Sequence, residues 1–273
     1  MCSKDLAVAA MAGEPDEMFS LAVKLSDNMP DKPRALDACG DLFLNRFRHM
    51  EEKSDIDKAI LAYDSAIQHL QLKHQAVDHI ELIGFIHDAG TAFLERYKLL
   101  GNLSDIDQAI TNFETVTTMT SDYVDMHNAR NDLGISFWRC FEKTKELTDI
   151  SKAISAIQKA IHLTPQDHSN IAGLLNNLGI SFWGRFKLTG DLTDISGAIS
   201  CQQKALLLTP ESQENVPILL NNLGNSLRVC FQCNGDLADI SNAIISLQKA
   251  VDLPQSHPIM RGLLNGLGNL FFI

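Results

Sequence analysis

Few residues in this 273-residue chain stand at spacings that perform chemistry, and two thiols come first. Cys230 and Cys233 form the one Cys-x-x-Cys, in the stretch "VCFQCNG". Such a pair does redox work where a helix N-terminus lowers a thiol pKa, and it holds zinc where two more ligands stand at suitable spacing. The apolar periodicity places both thiols late in a helix, and no second pair follows, so a structural or incidental role is expected. His69, His74 and His79 surround a connection between helices. Five-residue steps do not place them on one helix face, so they read as solvated histidines rather than metal ligands. There is no Gly-x-Ser-x-Gly and no phosphate loop. No catalytic, cofactor or metal site is expected, and the chain reads as a non-enzyme.

Three further sets of residues recur. Arg46, Arg96 and Arg185 share one position of a repeating pattern, with Arg48, Lys98 and Lys187 two residues later. Two readings fit: cations complementing a helix C-terminus and pairing with acids of the next turn, or a partner-binding column. Asn176 and Asn177 sit within an apolar helical pattern, "LLNNLG", and Asn221 and Asn222 repeat them. One repeat earlier the same two positions hold Asn131 and Asp132, and earlier still His87 and Asp88. An asparagine amide offers one acceptor and two donors, enough to bond both sides of a peptide group. A ladder of such amides would hold an extended backbone, or would bond neighbouring helices and fix their stacking. Trp138 and Trp183 align with each other and read either as anchors for a partner or as packing residues.

The elements that position these residues are written several times over. The pattern Asp-Ile-(Asp/Ser)-x-Ala-Ile starts at Asp55, Asp105, Asp149, Asp194 and Asp239, in steps of 50, 44, 45 and 45. A Leu-Gly or equivalent glycine at 40, 90, 134, 179, 224 and 268 gives the same period. Each unit holds two helical stripes. Leu174, Leu175, Leu178, Phe182 and Phe186 make one; Ile195, Ala198, Ile199, Gln202, Ala205 and Leu206 make the other. Between them, Gly190 is expected in the left-handed conformation that ends a helix, with Thr193 or Asp194 capping the next one. Pro165 and Pro210 stop the second helices, and alternation of the strand type is absent.

Leu178-Gly179 with Phe182, followed by Ala198, Ala205 and Pro210, resembles the tetratricopeptide repeat, and Ala153, Ala160 and Pro165 match one unit earlier. The resemblance implies an all-α fold, an α-solenoid (superhelix) of five to six helix-turn-helix repeats with a period of 44–50 residues. It also implies that Gly179 and the facing alanines let the two helices approach closely. The interval from Gly179 to Ala198 is longer than in the standard repeat, so a longer first helix and a longer "GDLT" turn are expected. The wording "LLNNLGxSFW" and "TGDLxDIS" looks like the long repeat arrays of mushroom-forming fungi, which often precede a caspase-like CHAT domain. The repeats run to the last residue, so no CHAT domain is expected within this sequence. In tetratricopeptide arrays the first helices line a concave groove. The resemblance therefore makes Asn131, Asp132, Asn176, Asn177, Asn221, Asn222, Trp138 and Trp183 candidate partner-binding residues.

The expected organisation is an N-terminal segment 1–32 with one capping helix near 14–28, then an array over 33–273. Its repeats span about 33–76, 77–122, 123–167, 168–212 and 213–256, with a truncated half-repeat at 257–273. Ending on Phe271, Phe272 and Ile273 would leave an apolar face open, as in a fragment, and invites self-association through that end. A net charge of −11 argues against nucleic acid and anionic membrane as partners. No apolar run is long enough to span a bilayer. Six scattered cysteines fit a reducing, cytoplasmic setting. The expected function is a protein-interaction scaffold docking a partner peptide or helix. The alternatives are the sensor arm of a larger CHAT-type protease, or a self-assembling fragment.

Overall fold

The computed structural model describes residues 15–27, 29–72, 79–119, 123–165, 167–253 and 268. Among them lie eleven helices and no strand. These are α1 (Pro15–Val23), α2 (Lys32–Met50), α3 (Lys53–Leu72), α4 (His79–Leu100), α5 (Leu103–Met119) and α6 (Met126–Thr144). They continue with α7 (Leu147–Leu163), α8 (Ile171–Thr189), α9 (Leu192–Leu208), α10 (Val216–Asn234) and α11 (Leu237–Asp252). The chain divides into two compact units, 1–136 and 137–273, with the division inside α6. The expected half-repeat with its apolar end, His74 and the side chain of His79 lie outside what is described.

Within each unit, a helix packs on the one that follows it. The repeated glycine sits at this contact, and the alanines are not the residues that fill it. A Cβ on Gly40 would lie 2.5 Å from the Tyr63 ring, on Gly90 2.9 Å from Phe113, and on Gly224 2.5 Å from Leu247 Cγ. On Gly179 it would lie 2.9 Å from Gln202 Cγ and 3.2 Å from the Ala198 carbonyl. The facing residue stands eight positions after the repeated aspartate in every case, and it is large and buried. The hole left by glycine receives a whole side chain, so the expectation of small against small is corrected.

The added length goes into helices rather than into the turn. Successive helices of a repeat are separated by two residues, and Leu192 and Thr193 of the expected "GDLT" turn belong to α9. Gly101, Gly190 and Gly235 take φ near +70° after the first helix, and the amides of Gly190 and Gly235 return to the carbonyls of Phe186 and Phe231 at 2.7 Å. Glu51 and Lys145 adopt the same left-handed conformation in their repeats. The caps are Asp191 and Asp236, which accept from the amides of Thr193 and Ala238 at 2.9 Å.

Asp194, offered above as a cap, is instead buried and clamped. Arg185 reaches it through two bonds, Nε to Oδ2 at 2.8 Å and Nη2 to Oδ1 at 2.6 Å. Arg46 makes the same fork to Asp55, with both bonds at 2.7 Å, and Arg96 holds Asp105 at 2.6 Å. The basic column therefore ties each first helix to its own second helix. Each guanidinium also lies over the phenylalanine three residues earlier, 5.3–5.7 Å from its ring centre. Two repeats place Cys140 and Cys230 where the arginine would be. There Thr144 Oγ1 donates to Asp149 at 2.8 Å and Asn234 Nδ2 to Asp239 at 3.0 Å. Those two aspartates are half-buried, whereas Asp55, Asp105 and Asp194 are buried.

Helix α1 closes the front of the first repeat. Phe19 meets Phe43 edge-on at 5.8 Å, and Asp16 accepts from Arg46 at 2.8 Å and from Lys58. Lys32 is buried, and its ammonium donates to the carbonyls of Val23 and Leu25 and to Asp27.

Four mutational outcomes follow, two from the glycine packing and two from the aspartate clamp. Gly224→Ala should lower stability by about 1–3 kcal/mol by overpacking against Leu247. Gly84→Ala, with nothing within 4 Å of the new carbon, should raise it by about 0.5–1 kcal/mol. Urea midpoints check both, and equal midpoints would contradict the interlock. Arg185→Ala should cost about 3 kcal/mol because it strands a buried carboxylate. Cys230→Ala, at the equivalent position, should cost about 1 kcal/mol or less, since Asn234 still holds Asp239.

Candidate functional site

The candidate residues sit on the first helix of each repeat, before and after its buried glycine. In the second unit, Asn222 Nδ2 donates to Asn176 Oδ1 at 3.0 Å, linking α10 to α8. Both side chains are half-buried. The bond uses one donor of Asn222 and the acceptor of Asn176; among the described residues the Asn176 donors and the Asn222 acceptor have no further hydrogen-bond partner. Asn221 is not brought into this pair: Asn225 Nδ2 donates to its backbone carbonyl at 3.0 Å and to its Oδ1 at 3.3 Å. The Asn177 carbonyl accepts from Ser181 at 2.9 Å, and its side chain is half-buried.

In the first unit the same register carries charge. His87 Nε2 lies 3.2 Å from Asp132 Oδ2, and His87 Nδ1 lies 3.7 Å from Asp88. Asn131 Nδ2 donates to Asp132 Oδ1 at 3.4 Å. Burial works against a charged imidazole, but the bonds to Asp132 and Asp88 outweigh it and hold the His87 pKa up at about 9. One repeat earlier the position belongs to Asp37. Burial, with the charges of Asp88, Asp41 and Glu81, pushes its carboxyl up to about 8. Asp37 Oδ1 is buried without a hydrogen-bond partner. Tyr63 donates to Asp41 at 2.8 Å, and burial raises the Asp41 pKa as well. Asp37 and His87 occupy the asparagine position of the ladder, and both lie among carboxylates.

Trp138 and Trp183 come together in the second unit. They line a cleft of about 340 Å³ with Phe141, Lys145, Gly184 and Lys187, between the later turns of α6 and α8. Lys187 Nζ stands 4.5 Å above the Trp183 ring and Lys145 Nζ 5.5 Å above Phe141. The Arg139 guanidinium covers Trp138 at 4.9 Å and donates to Glu142 at 2.8 Å. The indole N–H of Trp183 is buried and has no acceptor. Sequence alignment of the two tryptophans pointed here, and the basic column already contained Lys187, but Gly184 and Lys145 were not singled out.

The thiol pair lies late in α10, with Cys230 half-buried and Cys233 exposed. Burial and Asp239 push the Cys230 thiol up to about 11, away from the thiolate that redox work needs. His69 bonds the Ser65 carbonyl at 2.9 Å and Asp27 at 3.1 Å. Among the described residues no group of three His, Cys, Asp or Glu is placed to hold a metal. No helix among them is long and apolar enough to cross a membrane.

The raised pKa values set a pH dependence. Unfolded Asp37 ionises near 3.8 and the folded group near 8, so its proton favours the folded state and stability falls across that interval. His87 is raised from 6.5 to about 9, so its contribution is complete below 6.5 and is lost as pH rises through 9. The urea midpoint should therefore decline from pH 4 to 9. Asp37→Asn should flatten the lower part of that decline, and His87→Asn the upper part. A midpoint that stays level in the unaltered chain would contradict both.

No family model matches this chain, and no curated protein matches it in sequence. Solved structures do match in shape. BtubC (BKLC) from P. vanneervenii superposes with a TM-score of 0.62 at 18% identity, covering 96% of this chain and 92% of that one. A putative kinesin light chain with TPR-like repeats from Podosopora anserina gives 0.55 at 11% identity, covering 82% and 96%. YrrB, described as a TPR protein with an unusual peptide-binding site, gives 0.54 at 14% identity, covering 90% and 97%. With the five helix pairs among the described residues and the repeated glycine interlock, these likenesses establish the fold as an all-α helical-repeat solenoid of the tetratricopeptide type.

Proposed function

We propose that the chain is a non-enzymatic interaction scaffold that docks an extended or helical segment of a partner protein along its first helices. One observation carries this reading. The Asn176–Asn222 bond links α8 to α10, and the pair keeps amide donors and an acceptor with no partner among the described residues. A row of half-buried amides with unspent capacity suits a peptide backbone, whose N–H and C=O groups alternate and carry no charge. Asn177 and Asn221 flank the pair, and Asn131 with Asp132 occupies the equivalent place one repeat earlier. Tetratricopeptide arrays are typically scaffolds, and one structural neighbour is described as peptide-binding. The docking face here is the groove side of the first helices. Protein or peptide is the partner class, and no cofactor is required.

The test is selection of binding peptides from a random display library on the intact chain. Affinity of a selected peptide is then measured for the chain and for the Asn176→Ala/Asn222→Ala variant, beside the urea midpoint of each. The variant should bind at least five-fold more weakly, corresponding to about 1 kcal/mol or more. Its stability should fall by only about 1 kcal/mol, since the bond lost is half-exposed. Failure to select any peptide, or unchanged affinity per folded molecule, would overturn the assignment.

A further inference from the structure

The cleft between α6 and α8 has a composition that the amide ladder does not explain. Its walls are two indoles, the Phe141 ring and Leu188, and its volume of about 340 Å³ is small. That lies at the lower end of ligand pockets, which run from about 300 to 1,000 Å³. It is room for a large side chain, not for an extended cofactor. Gly184 keeps it open: a Cβ there would lie 3.3 Å from the Phe141 ring and 3.7 Å from Trp138 Nε1. The side chains come from Trp138 and Phe141 on α6 with Lys145 just past its end, and from Trp183 and Lys187 on α8.

The rim is cationic in a chain whose net charge is −11. Lys145 and Lys187 are exposed, each lies over an aromatic ring, and neither has a carboxylate partner among the described residues. The one acid in the lining, Glu142, already receives Arg139 at 2.8 Å. An aromatic floor under two unneutralised ammonium groups complements a ligand that is apolar at its centre and anionic at its edges. Because the chain as a whole repels anions, this local reversal of sign is specific.

We infer that the Trp138–Trp183 cleft receives an aromatic or large aliphatic side chain of a partner peptide whose flanking residues are Asp or Glu, with Lys145 and Lys187 pairing with those carboxylates. The inference rests on the scaffold reading above and assigns the chemistry of the partner. Aromatic anchors in well-formed pockets dominate peptide affinity, and charge at the rim sets selectivity and salt dependence.

The chain holds two tryptophans, and both line this cleft. Intrinsic fluorescence therefore reports on the cleft without background. Four synthetic nine-residue peptides free of tryptophan serve as probes: phenylalanine flanked by Asp and Glu, leucine flanked the same way, alanine flanked the same way, and phenylalanine flanked by Lys and Arg. The acidic phenylalanine and leucine peptides should shift the emission saturably and bind at least ten-fold more tightly than the other two, with affinity falling as salt rises. Lys145→Glu/Lys187→Glu, a change confined to exposed side chains, should weaken the acidic phenylalanine peptide at least ten-fold and strengthen the basic one. Equal affinity for all four, or an unchanged preference after charge reversal, overturns the inference. A library-selected peptide that needs Asn176 and Asn222 but leaves the emission unchanged also overturns it, while the scaffold reading stands. If neither the four probes nor any library peptide binds, both fall.

Discussion

The structure depends on one steric constraint, the meeting of a bare glycine backbone with a large side chain from the following helix. Gly40 with Tyr63, Gly90 with Phe113, Gly179 with Gln202 and Gly224 with Leu247 are versions of the same interlock. It sets the distance between paired helices, because a methyl group there would collide, and it sets their register, because one side chain fits one hole. The identity of the large residue is free to vary among aromatic, aliphatic and amide. What every version needs is volume on one helix and its absence on the other.

Electrostatics finishes what the interlock begins. In three repeats an arginine bends from the end of the first helix onto a buried aspartate in the first turn of the second. Arg46 and Arg185 match the enclosed carboxylate with two bonds each, whereas Arg96 gives Asp105 one bond and leaves its Oδ2 buried without a partner. Where cysteine replaces arginine, the aspartate moves toward water and a neutral donor, Thr144 or Asn234, suffices. The exposure of the acid thus follows the strength of its partner, and the turn keeps its two-residue length either way.

Much of this was legible in the sequence, and the remainder was hidden for definable reasons. Period and helix content show through because glycine, alanine and aspartate recur at fixed offsets. The role of Asp194 does not, because an acid one turn into a helix suits a cap and a clamp equally. Only the reach of Arg185, nine residues away in sequence, decides between them. The turn length misled because leucine and threonine after glycine read as loop, whereas Asp191 caps early and draws both into α9. At the candidate site, the tryptophans and asparagines were visible by type. Which amide bonds which was not, since Asn176 and Asn222 are partners across a repeat and Asn221 turns to its own helix.

The ladder shows where such an array can change without losing its fold. A single register position, three residues before the glycine, carries Asp37, His87 and Asn176 in different repeats. Each makes a different kind of neighbour: an acid beside acids, an imidazole between carboxylates, and an amide bonded to an amide. The arginine of the aspartate clamp, nine residues later, lies on the opposite side of the helix, whereas the glycine is a neighbour on the same face, and His87 stands 5.5 Å from the ring of Phe113. Packing is carried by residues that share bulk while differing in chemistry, and the register position beside the glycine differs in charge as well. The two tryptophans stand four residues after their glycines, where the other repeats place Leu44 and Leu94, both buried, and Arg228.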